Sequence, residues 1–88
     1  MSKSAVASFT RVNEDGTREV WAPEVTGDYA RDCAHGRDCL REALVLSAEE
    51  PLLIHRILTS PSWAAAADGV KIGFSQALAA VALAAVEG

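Results

Sequence analysis

After residue 60 the chain carries only three charged side chains, Asp68, Lys71 and Glu87, and alanine dominates what remains. Val70 to Val86 reads as one helix within that stretch. At about 100° per residue, Val70, Phe74, Leu78, Val81 and Ala85 form one apolar face. Ile72, Gln76, Ala79, Leu83 and Val86 form a second, roughly opposite. A helix apolar on both sides must be covered on both sides, and an 88-residue chain has little with which to cover the second. Two solutions exist. The helix sits at the centre of one domain, between a hairpin and the other helices, or it meets a second copy through Ile72, Leu83 and Val86. The homodimer is the favoured expectation, because those three residues stay apolar up to the end of the sequence, where a lone helix frays into water. The helix start is the least defined boundary, since Val70-Ile72-Phe74 also alternates like a strand.

Upstream, residues 5 to 23 read as a β-hairpin. Val6, Phe9, Thr10 and Val12 are β-formers, Asn13-Glu14-Asp15-Gly16 supplies turn chemistry, and Val20 and Trp21 resume the pattern until Pro23 stops it. A two-stranded ribbon is marginal in water, so the helices must give it a packing surface. Thr26-Gly27-Asp28 opens an amphipathic helix over 28–46 with Tyr29, Cys33, Gly36, Leu40, Ala43 and Leu44 on its apolar stripe. Gly36 inside that stripe costs about 1 kcal/mol against alanine, which implies a close approach by another backbone. Ser47-Ala48-Glu49-Glu50 has the form of a capping box for a second helix over 50–59, with Leu53, Ile54, Ile57 and Leu58 on its buried side. Residues 62–67 form at most a short helical turn before the last helix, 70–86. The predicted fold is therefore α+β, one domain over residues 1–88: an N-terminal hairpin packed on a three-helix unit. Its core is expected to hold Phe9, Trp21, Tyr29, Cys33, Leu40, Leu44, Ile54, Ile57, Leu58, Phe74, Leu78 and Val81.

Twelve acidic against eight basic residues give a net charge of −4, so a phosphate backbone finds no general electrostatic attraction here. The start of the sequence lacks the apolar core of a signal peptide, and a cytoplasmic protein is expected. The longest apolar run, 77–86, falls short of the roughly 20 residues of a membrane span, so no membrane association is expected. Both cysteines are then expected as free thiols. Cys33 and Cys39 also lie about 9 Å apart along a helix axis, too far to pair with each other.

The densest reactive cluster is Cys33-Ala34-His35-Gly36-Arg37-Asp38-Cys39. His35 and Cys39 are neighbours at i, i+4, but Cys33 points nearly opposite His35, so the three do not converge on one ion. Nothing marks an orienting third group or an oxyanion site for a Cys39–His35 nucleophile pair. His55 reads as a partly buried polar residue. Gly69 and Gly73 form a G-x-x-x-G, which either allows close helix contact or marks a boundary. No catalytic residue, metal site or cofactor is expected. A helix-turn-helix is also poorly supported, because Arg56 is the only arginine or lysine of the second helix and Lys71 that of the last.

The string Asp28-Tyr29-Ala30-Arg31-Asp32-Cys33-Ala34-His35-Gly36-Arg37, with Pro51-Leu52-Leu53 and Gly69-Val70-Lys71-Ile72-Gly73-Phe74, resembles small uncharacterised proteins carried by phages and other mobile elements of GC-rich bacteria. The similarity covers roughly residues 28–78 and brings no catalytic residue with it. It implies a setting in which tiny acidic proteins bind and block host machinery, CRISPR effectors included. The functional expectation is a non-catalytic protein-binding module, an anti-CRISPR-like inhibitor of a host defence complex. Contact is expected through the charged face at Arg31, His35, Asp38, Arg41 and Glu42 or through the hairpin edge. A small transcriptional regulator and a thiol- or metal-dependent enzyme are the alternatives.

Overall fold

The structure, a computed structural model, describes residues 7–87. It is α+β: a two-stranded antiparallel hairpin, β1 (Arg11–Val12) and β2 (Arg18–Glu19), precedes four helices. These are α1 (Tyr29–Leu46), α2 (Leu53–Leu58), α3 (Pro61–Ala65) and α4 (Gly69–Glu87). The strands are much shorter than the sequence pattern predicts, and Ala5 and Val6 lie outside the described residues. The turn is held locally. Asp15 accepts from the backbone N–H and hydroxyl of Thr17 at 3.0 and 2.7 Å, and Gly16 takes φ +90°, a conformation most side chains disfavour. Register pairs Arg11 with Glu19, whose side chains also form an ion pair. Beyond the strands, the Ala22 N–H donates to the Phe9 carbonyl at 2.6 Å, which brings Phe9 and Trp21 together over the helices.

The organising contact is between α1 and α4. A Cβ on Gly36 would overlap the Val70 carbonyl and lie 2.7 Å from the Phe74 nitrogen. One on Gly73 would overlap the Cys33 carbonyl, and one on Gly69 would come within 2.8 Å of the Asp32 Cβ. Three glycines therefore let two backbones touch, as the position of Gly36 predicts, and both readings of the G-x-x-x-G hold: Gly69 starts the helix and Gly73 meets α1. This crossing corrects the predicted α1 stripe. Because α4 arrives over Gly36, residues on both flanks of that glycine are covered, so Asp32 and Cys39 join Cys33, Leu40 and Ala43 inside. Tyr29 stays 61% exposed and Leu44 also faces solvent, because both lie outside the footprint of α4.

The rest of the core is aromatic. Trp21 stands at its centre, 5.5 Å from the Phe9 ring and 4.9 Å from both Trp63 and Phe74, with the last two contacts edge-on as ring quadrupoles favour. Leu53, Ile57 and Val70 close the cluster, with Ala7 at its edge, and Ile54 and Leu78 pack against it half-buried. Leu58 and Val81 are exposed, contrary to expectation. A six-residue α2 buries only the i, i+4 pair Leu53 and Ile57, and α4 leaves the body of the fold after Leu78.

Caps explain most of the helix ends. Asp28 accepts from the Arg31 N–H to start α1, and Ser60, followed by Pro61, accepts from the Trp63 N–H to start α3. Asp68 accepts from the Lys71 N–H at α4. The predicted capping box at Ser47 does not form. Ser47 keeps helical geometry as the last-turn cap of α1, and its hydroxyl donates to the Ala43 carbonyl at 2.8 Å. Glu50 faces Arg56 at 3.7 Å, and α2 starts after Leu52 with no side-chain cap.

Gly36→Ala tests the crossing. Helix propensity alone would add about 1 kcal/mol of stability, but overlap with the α4 backbone should give a net loss of roughly 2 kcal/mol. Urea denaturation is the measurement, and a midpoint unchanged or raised would contradict the close approach.

Candidate functional site

The outward side of α1 carries Arg31, His35, Asp38 and Glu42 at i, i+4, i+7 and i+11, which places them on one stripe away from α4, with Arg41 at its edge. Arg31, Asp38 and Arg41 are exposed, and Asp38 pairs with Arg41 across one turn at 3.0 Å. His35 is half-buried. Beside it lies a shallow hollow of about 220 Å³ lined by Glu24, Thr26, Arg31, Asp32 and His35. Glu42 is different: its carboxylate accepts from the Ser8 N–H at 2.9 Å and the Ser8 hydroxyl at 2.6 Å. It ties the start of the hairpin to α1, and the stripe available to a partner is centred on Arg31, His35 and Asp38. The hairpin edge, with two residues per strand, is a small docking surface by comparison.

Asp32 was not marked by periodicity, since it lies off the predicted apolar stripe. It is 2% exposed, and its two oxygens accept three hydrogen bonds, from the Thr26 N–H and hydroxyl and from the Gly27 N–H. The Thr26 backbone bond, then the Thr26 hydroxyl, hold its pKa below the usual 3.8 against the opposing effect of burial, with Gly27 and His35 adding to the effect. Asp32 thereby pins the loop that enters α1 and sets the floor of the hollow. The available signal was its place in the first turn of a helix, where a carboxylate meets unpaired N–H groups.

Asp32, His35 and Cys39 succeed one another along α1, and the Cys39 sulfur lies 3.8 Å from His35 Nε2. The order suggests a relay, yet the chemistry runs the other way. Burial, together with the charges of Glu42 and Asp38, pushes the Cys39 thiol up to about 12, and the nucleophile of thiol chemistry is the thiolate. Cys33 is also buried and unpaired, as expected of a small core residue. Among the described residues no three His, Cys, Asp or Glu side chains are grouped to hold a metal ion. His55, predicted to be partly buried, is exposed, because the short α2 turns only Leu53 and Ile57 fully inward.

The sites expected at the other end of the molecule are open. Ile72 borders a groove of about 410 Å³ with Ala66, Ala67, Asp68, Lys71 and Gln76. Leu83 is 58% and Val86 83% exposed, and every residue from Ala79 to Glu87 faces solvent. By length and composition α4 is sufficient to cross a membrane, with a mean hydropathy of 1.6 over 18 residues, which a count of the unbroken run 77–86 understates. Its first turns, with Gly69, Val70, Gly73 and Phe74, are nevertheless locked inside the fold. Comparison with family models, curated proteins and solved structures finds no match.

Two outcomes follow. A carboxylate whose folded pKa is depressed contributes stability that is present above its unfolded value and lost as pH falls through the folded one. Asp32 should therefore sharpen the loss of stability below about pH 3.8. Asp32→Asn should be less stable at neutral pH and show a shallower acid limb in denaturation curves; parallel limbs would exclude the role. For Cys39, a pKa near 12 leaves about one thiolate in ten thousand at pH 8. Ellman's reagent should modify it in the native protein only over hours and at once after unfolding.

Proposed function

We propose that this chain is a non-catalytic protein-binding module, and that it serves a phage or other mobile element as an anti-CRISPR-like inhibitor of a host defence complex. The carrying observation is the division of labour on α1. Its inner face is consumed by the α4 crossing, whereas Arg31, His35 and Asp38 turn a mixed-charge stripe outward from a helix packed at backbone distance on its other side. A helix presenting both signs of charge suits a partner with the complementary pattern, and such pairs contribute specificity and association rate more than raw affinity. The raised Cys39 thiol speaks against thiol catalysis. Small size, net acidity and the resemblance over residues 28–78 supply the mobile-element context.

Affinity capture from a bacterial host lysate tests this when run with three proteins in parallel: the parent, Arg31→Glu/Asp38→Arg, and Leu83→Glu at the far end of the molecule. The proposal expects a host protein complex with the parent and with Leu83→Glu, and its loss with the α1 variant. Capture unaffected by reversing the α1 charges would remove that face from the interface. Retention of specific DNA with no protein partner would favour a transcriptional regulator.

A further inference from the structure

Independently of that reading, we propose that the exposed face of α4 is covered by α4 of a second copy of this chain, running antiparallel about a two-fold axis beside Ala79. The face is self-complementary in that direction. Ile72 lies seven residues before Ala79 and Val86 seven after it, while Gln76 and Leu83 flank it by three and four. A two-fold at Ala79 therefore sets Ile72 of each copy against Val86 of the other and brings Gln76 to within one residue of the level of Leu83, with the smallest side chain where the axes come closest. The groove at the α4 N-terminal end, bordered by Ala66, Ala67, Ile72 and Gln76, then receives Val86 of the other copy, 83% exposed in the single chain.

Charge selects the same arrangement. On α4 itself Lys71, in the first turns, is the only cation and Glu87, at the last residue, the only anion. Antiparallel pairing brings the unlike ends together and aligns the helix dipoles favourably, whereas parallel pairing places like ends side by side. The Lys71 ammonium donates to the carbonyls of Trp63 at 2.8 Å and Ala66 at 3.1 Å, which hold it at the rim of the groove, and among the described residues these two bonds use two of its three donors. A lipid surface fits less well. A helix lying on a membrane uses flanking basic residues, and here a net charge of −4 opposes anionic headgroups. A seam made by one helix is small beside the roughly 800 Å² per partner of a standard interface, so the association is concentration-dependent.

Light scattering over about 5 to 500 µM, with cysteine cross-linking on the full chain, tests the arrangement. The expected result is a dimer at the upper concentrations that cross-links readily as Ala79→Cys. Ile72→Cys and Val86→Cys should each fail to cross-link alone and cross-link when mixed. Leu83→Glu, an exposed position in the free protomer, should keep the parent circular dichroism and weaken dimerisation by about a hundredfold. A monomer at every concentration would overturn the proposal, and flotation of that monomer with phosphatidylcholine vesicles would assign the face to lipid instead. Cross-linking of Ile72→Cys with itself would indicate parallel pairing and overturn it equally.

Discussion

Backbone contact between α1 and α4 at Gly36, Gly69 and Gly73 is the constraint from which the remainder of this structure follows. In an 88-residue chain the core is small, and each ångström between the two long helices is volume that side chains must fill. Removing three Cβ atoms lets the helices approach until Val70 and Phe74 sit over Gly36, and that approach carries Phe74 into the aromatic cluster. The penalty for glycine inside a helix, up to about 1 kcal/mol each, is offset by the dispersion and burial that contact at backbone distance allows.

That crossing also decides what the polar groups do. Gly69 against Asp32 brings the start of α4 over the first turn of α1, and the Asp32 carboxylate, largely covered, takes its hydrogen bonds from Thr26 and Gly27. Lys71, two residues before Gly73, is positioned to reach the final carbonyls of α3, and its ammonium lies 5.1 Å from the centre of the Trp63 ring. It thus holds Trp63 against Trp21. The Trp21 indole nitrogen is left buried with no partner among the described residues, a cost on the order of 1–3 kcal/mol. Four interlocking rings tolerate that cost because Trp21 touches all three of the others.

Fold class, the order of elements, the bounds of α1 and α4 and the meaning of Gly36 were legible in the sequence, because each rests on local periodicity or on the steric singularity of glycine. The width and phase of the α1 stripe were not. Periodicity identifies a face, whereas the angle at which α4 crosses it determines that Cys39 and Asp32 are inside and Leu44 outside. Ser47 shows the same limit at a helix end. S-x-x-E is the pattern of a start, yet a serine hydroxyl bonds equally to the carbonyl four residues before it, and the preceding helix claimed it first. The charged stripe at Arg31, His35 and Asp38 was readable from spacing, while the diversion of Glu42 to Ser8 joins residues 34 apart and has no local signature.

The unburied end of α4 is the complement of the same geometry. Its crossing with α1 lies near the start of a 19-residue helix, so the body of the protein covers only the turns up to Leu78. At 1.5 Å per residue, the nine residues from Ala79 to Glu87 continue about 13 Å past it. A chain selected only for a stable monomer would end such a helix at its last covered turn or place charge along the projecting part, as exposed helix surfaces ordinarily do. Here Glu87 is the single charge in that segment, and Val81, Leu83 and Val86 are apolar yet 43%, 58% and 83% exposed. Packing within the described residues leaves these side chains exposed, and the proposed pairing with α4 of a second copy would bury them.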